Sequence, residues 1–142
     1  MPLALRIDWE GLIVAFESRS HKITHFFDRE TGDVEQALDR DSERHAAMAG
    51  NTRFEALPRD RGERTIGDLE EFLGKCGDEA CRRDLSAALA GSGSVSAYRE
   101  TLMRYPKEEA LFFQFKEHQA LQRAVEWLTS MGIPFRKPEQ GN

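Results

Sequence analysis

Cysteine is scarce in this chain. Its 142 residues hold two, Cys76 and Cys81, too few for a disulfide scaffold. Four residues lie between them, so they match neither the Cys-x-x-Cys redox motif nor half of a zinc ribbon that has a second half. Long hydrophobic runs are missing too: no uncharged stretch approaches the roughly 20 apolar residues of a membrane span. Asp8 and Glu10 interrupt the apolar start, and no charged leader with a small-residue cleavage site is present, so a secretory signal is not expected. There is no basic block. The net charge is −5, with 13 basic and 19 acidic side chains in residues 1–91. Duplex nucleic acid is disfavoured as a partner, because affinity for its backbone needs clustered Lys and Arg. There is no internal repeat and no low-complexity tract. Together these absences point to a soluble protein of a reducing cytoplasm.

Core material is present. Nine Phe and two Trp stand in a chain that is 39% hydrophobic, which excludes wholesale disorder. A chain of this length buries about 68% of its unfolded surface and needs no staples. Trp9, Leu12, Ile13 and Phe16 fall on one helical face, with Asp8 as N-cap. Ile23 to Phe27 is β-branched and aromatic and reads as a strand. Asp28 to Asp33, with Gly32 in a left-handed position, reads as a turn that returns the chain along Val34 to Leu38. Residues 39–51 are polar, a loop or short helix. Arg53 to Leu57 reads as a third strand stopped by Pro58.

The rest is helical. Thr65 can cap a helix carrying Ile66, Leu69, Phe72 and Leu73, punctuated by Gly74 and Gly77. Asp78 caps the next, with Cys81, Leu85, Ala88 and Leu89 inward and Gly91 at its C′ position. Ser92 or Ser94 caps a third with Val95, Tyr98, Leu102 and Met103 inward. Pro106 opens a fourth with Leu111, Phe112 and Phe115 inward. A separate last helix, about 117–131, buries Leu121, Ala124, Val125 and Leu128 and stops at Gly132.

Several chemistries fail on spacing. His21 and His25 are four residues apart on a strand, about 13 Å, too far to share an ion. Asp39, Asp41 and Glu43 start like a calcium loop, but Arg44 stands at the Gly position and Gly50 at the Glu position. Seven acidic and three basic residues between Asp28 and Arg44 leave room for a weak cation or a basic partner. Gly74-Lys75-Cys76 lacks the earlier Gly and the Ser or Thr of a phosphate loop. No Gly-x-Ser-x-Gly is present. Cys81 reads as a small core residue, and Cys76 as core or as a reactive thiol. No catalytic residue, metal ligand or cofactor is assigned.

Two sets of residues remain as candidates. Gly91, Ser92, Gly93 and Ser94 precede a helix, where free amides attract anions, with Arg99 or His118 to help; the plainer reading is a helix-to-helix turn. Phe113 and Trp127 are left over from the apolar stripes, and either thicken the core or anchor an interface.

Gly91-x-Gly93, Tyr98-Arg99, Leu102, Phe112-Phe113-Gln114-Phe115-Lys116, Ala124-Val125-Glu126-Trp127-Leu128 and Gly132-Ile133 together resemble a bacterial family of uncharacterised proteins. Phe26-Phe27-Asp28-Arg29-Glu30-Thr31-Gly32-Asp33 is similar to its Tyr-x-x-Asp-x-x-Thr-Gly-Glu signature, and Leu69-Glu70-Glu71-Phe72 to its Met-Glu-Asp-Phe segment. The resemblance covers most of residues 7–133. Val95 stands where the family tends to have Phe, Ser96-Ala97 replace basic residues, and Phe112 replaces Trp. The family has no established activity, so the resemblance implies no function.

The expectation is a single α+β domain over residues 1–142. A first helix with a short antiparallel sheet (1–58) packs with a helical half (65–133), and 134–142 is a flexible tail. The expected role is a non-catalytic protein-interaction or regulatory module, with a protein partner or self-association as a homodimer. The alternative is a small-ligand or anion binder, or an enzyme, at the Gly91–Ser94 turn. Single-stranded RNA binding ranks last.

Overall fold

The computed structural model describes residues 5–18, 20, 22–39, 42–59, 63–91, 94–136 and 138. Its elements, in chain order, are α1 (Trp9–Glu17), β1 (Ile23–Asp28), β2 (Val34–Leu38), α2 (Ser42–Ala49), β3 (Phe54–Ala56), α3 (Glu63–Lys75), α4 (Glu79–Ala90), α5 (Ser94–Leu102) and α6 (Pro106–Ser130). This is an α+β fold. Two compact units form: Met1–Asp60 with Ala120–Asn142, and Arg61–Gln119. Among the described residues no helix is long and apolar enough to cross a membrane.

The first unit is built on a three-stranded antiparallel sheet in the order β2-β1-β3. Alternation sends Thr24, Phe26 and Asp28 to one face of the central strand and His25 and Phe27 to the other. Both faces are covered, so β1 is buried from Thr24 onward. Phe27 packs in a core with Leu12 and Phe16 of α1, Leu57, Ala124 and Leu128 of α6, and Ile133. Phe26 packs with Ala37, Met48 of α2 and Phe54. Asp8 caps α1 as expected, its Oδ1 accepting from the Gly11 amide at 2.9 Å. Gly32 turns the hairpin at φ +83. A Cβ there would stand 2.3 Å from the Arg6 carbonyl oxygen, which only Gly avoids. Phe135, inside the stretch expected to fray, forms a parallel bridge with Leu5. Its ring meets Trp9 edge to face at 5.7 Å.

The second unit is helical. Leu69 and Phe72 of α3, Cys76, Cys81 and Leu85 of α4, Tyr98 and Leu102 of α5, and Phe112 of α6 make its core. The buried Tyr98 hydroxyl donates to the Leu69 carbonyl at 2.9 Å. Five local expectations are corrected. Thr65 lies inside α3, which starts at Glu63. Gly91 ends α4 with an extended φ of −87 rather than a left-handed one; its amide still reaches the Ala88 carbonyl at 3.3 Å. The two last helices are one: α6 has no Gly or Pro after its first residue. Its buried Phe112, Ala120, Ala124 and Leu128 keep the helical spacing throughout. Leu111 and Met103 are exposed, not inward. Successive helix residues turn by about 100°, so once Phe112 faces the core Leu111 must sit on a flank. Met103 follows the last residue of α5 and leaves the stripe with it.

Candidate functional site

A cluster of polar side chains lies on the Thr24 face of β1. Pairing sets Thr24 opposite Ala37, and the Asp39 amide extends the ladder to the Lys22 carbonyl at 2.8 Å. The Leu57 amide bonds the His25 carbonyl at 2.8 Å, which carries Arg59 alongside. From α2, His45 reaches the same point with its ring edge-on to Phe26. Thr24 Oγ1 donates to Asp39 Oδ1 at 2.8 Å. Arg59 Nη2 donates to both Asp39 oxygens, at 2.6 and 2.8 Å, and to Thr24 Oγ1. His45 Nε2 stands 3.2 Å from the same hydroxyl.

The residue types are those of a nucleophile–base–acid set, but the roles do not match. A hydroxyl has one proton and two lone pairs. The Thr24 proton goes to Asp39 and not to His45, and Arg59 takes a lone pair. His45 therefore donates to the hydroxyl rather than taking its proton, and a general base must do the reverse. The buried Thr24 hydroxyl is saturated. The Arg59 hydrogen bonds, followed by that from Thr24, hold the Asp39 carboxyl below the usual range. Burial, then the Arg59 charge, lowers His25, whose side chain lies on the opposite face. This cluster fastens α2 and residues 57–59 to the sheet.

Asp28 forms a second knot. Its Oδ1 accepts from the Glu30 and Thr31 amides at 2.9 and 3.3 Å. Arg53 grips both oxygens, Nε to Oδ1 at 2.9 Å and Nη2 to Oδ2 at 2.8 Å. The Arg53 bonds, against the opposing effect of burial and with help from the two turn amides, bring the carboxyl down to about 2. The knot closes the β1–β2 turn and ties it to the residue before β3.

The residues singled out by sequence fall in separate places. Phe113 is 49% exposed on a flank of α6, its ring 6.1 Å from that of buried Phe112. Trp127 is half-buried and meets Phe27 edge to face at 5.7 Å in the first unit's core. Gly91 is exposed, while Ser92 and Gly93 lie outside the described residues, as do His21, Asp41 and the side chain of Ser94. Arg99 lies in the last turn of α5, the electronegative end of a helix whose other end was to hold the anion. His118 is exposed on α6. Among the described residues no group of three or more His, Cys, Asp or Glu side chains could hold a metal. An open hollow of about 640 Å³ beside α3 and α4 mixes Glu70 and Glu79 with Arg82 and Arg83, and so favours no single charge.

A third cluster was only half visible in the sequence. Cys76 and Cys81 are both free and both buried. Cys76 Sγ donates to Glu108 Oε2 at 3.7 Å and lies 3.6 Å from the Asp78 carbonyl oxygen. Burial, then the neighbouring Cys76 thiol, pushes Cys81 up to about 12. The contribution of Glu108 was missed because a charged residue two places after Pro106 reads as a solvated first turn; only the packing shows it buried. No protein-family model, no curated protein and no solved structure matches this chain.

Proposed function

We propose that this protein is a non-catalytic module that works through protein contacts in a reducing compartment, with Phe113 as the anchor. The observation that carries this reading is the contrast between adjacent rings. Phe112 is 2% exposed, whereas Phe113 leaves about half its surface in water. Exposed rings of this kind fill partner pockets and contribute a disproportionate share of interface affinity. The polar clusters support the reading indirectly: the hydrogen bonds of Thr24 and Asp28 are absorbed within the fold, where they hold elements together.

A photo-crosslinkable phenylalanine analogue at position 113 of the full chain tests this in cells of the source organism. A discrete crosslinked band is expected, at twice the chain's mass if the partner is a second copy. Crosslinking from position 113 no stronger than from the exposed Glu117 refutes the proposal.

A further inference from the structure

We propose that the hollow between α1 and the β1–β2 hairpin binds an alkylammonium group, with His25 as its buried hydrogen-bonding partner and Asp8 and Glu10 as its countercharges. This goes beyond the interaction reading and does not depend on it. The hollow holds about 330 Å³ and is lined by Asp8, Glu10 and Val14 on one side and by His25, Val34 and Gln36 on the other. That is the lower end of the range of about 300–1,000 Å³ typical of small-molecule sites. Backbone bonds fix its walls. The Asp8 amide donates to the Gly32 carbonyl at 3.0 Å, which seats the start of α1 beside the hairpin turn. Register sets His25 opposite Gln36 and Phe27 opposite Val34. His25, Val34 and Gln36 therefore share the face of the sheet on which Phe27 meets α1.

His25 is the observation that points to a ligand. A buried histidine is ordinarily satisfied within the fold, because an unpaired polar group there is costly. His25 is only 9% exposed, yet among the described residues its ring makes no hydrogen bond. No buried side-chain nitrogen or oxygen among those residues is sealed off without a partner, so the ring nitrogens open to the spaces beside them. One such space, next to Ser18 and Arg59, holds about 10 Å³, room for one water at most. The larger hollow is the one that can seat a ligand against the ring. Burial, then the Arg59 charge, keeps the imidazole neutral near pH 7, so it offers a lone pair to an N–H donor.

The charge of the ligand follows from the lining. Two carboxylates face the hollow and no basic side chain lines it among the described residues. Asp8 Oδ1 is engaged by the Gly11 amide, but neither carboxylate forms an ion pair among those residues. The amide end of α1 contributes about half a positive charge, which weakens the negative field without reversing it. An anion is refused and a cation with N–H donors is accepted. Val14 and Val34 supply apolar wall for a short alkyl chain. A bare metal ion is a poor occupant, since no three His, Cys, Asp or Glu side chains converge among the described residues.

The test titrates the full chain with n-butylammonium chloride at constant ionic strength near pH 7 and follows the assigned His25 ring protons by NMR. A saturable shift is expected, and butanol, which lacks the charge, should give none. Nα-acetyl-lysine amide separates two sources of the same head group: saturation by it as well points to a lysine side chain of a partner, saturation by the free amine alone to a small amine. Val14 is 51% exposed, so Val14→Phe can fill the hollow without entering the core, and it should abolish the shift. Glu10→Gln, also at an exposed position, should weaken binding by up to about fivefold. A shift that rises without saturating, an equal shift with butanol, or undiminished saturation in Val14→Phe would overturn the proposal.

Discussion

Replacing Asp28 by Asn removes one charge and changes little else in shape. Asn Oδ1 can still accept from the Glu30 and Thr31 amides. Its amide nitrogen, however, faces Arg53 Nη2, donor against donor, where a 2.8 Å charged bond stood. The size of the loss follows from the carboxyl's displacement from an ordinary 3.8 to about 2, which at full weight corresponds to about 2.5 kcal/mol. Arg53 is 39% exposed, and solvent screening reduces this to about 1–2 kcal/mol. The folded value is depressed, so the contribution is fully present above the unfolded value and is lost as pH falls from about 4 through about 2. Urea unfolding followed by tryptophan fluorescence reads it directly, since Trp9 and Trp127 both belong to the first unit. Asp28→Asn is expected to be less stable by about 1–2 kcal/mol near pH 7, with the difference from wild type closing at low pH. A deficit that persists unchanged at about pH 2 would refute the charge argument. No deficit at pH 7 would refute the knot itself.

Two further substitutions test the packing. Phe112→Ala should cost about 3–5 kcal/mol by opening a cavity in the second unit's core, whereas Phe113→Ala should change stability by about 0.5 kcal/mol or less; calorimetry of both variants decides, and similar costs would contradict the assignment of faces on α6. Gly32→Ala should cost about 2 kcal/mol or more, from a positive φ and a methyl driven against the Arg6 carbonyl; a neutral result in the same urea assay would contradict the turn geometry.

The hairpin was legible because its signals are local. Phe26-Phe27, the polar turn, and Gly32 at the one position that demands a positive φ act within a few residues of one another. The caps at Asp8 and Asp78 are local for the same reason. The long helix was legible in content but not in extent: two apolar stripes were read as two helices, yet no breaker separates Phe115 from Glu117, and the helix runs through. Leu111 and Met103 were misplaced because either flank of a stripe looks apolar until a core selects one direction. Trp127 had the opposite history: surplus to its own helix's stripe, it finds Phe27, a residue 100 positions earlier.

The polar knots lay furthest from view. Thr24, Asp39, His45 and Arg59 span 35 residues, and no spacing rule joins them. They meet because strand register sets Thr24 beside the end of β2 while the segment after β3 returns along β1. Composition and local pattern alone determined that this chain folds as an α+β protein, where its hairpin turns and which aspartates cap α1 and α4, because those features rest on backbone preference and on residues a few positions apart. Which ring is left in water, which carboxylate is gripped by which arginine, and which acid lies against a thiol were decided only by tertiary packing, since each depends on side chains brought together from distant points of the chain.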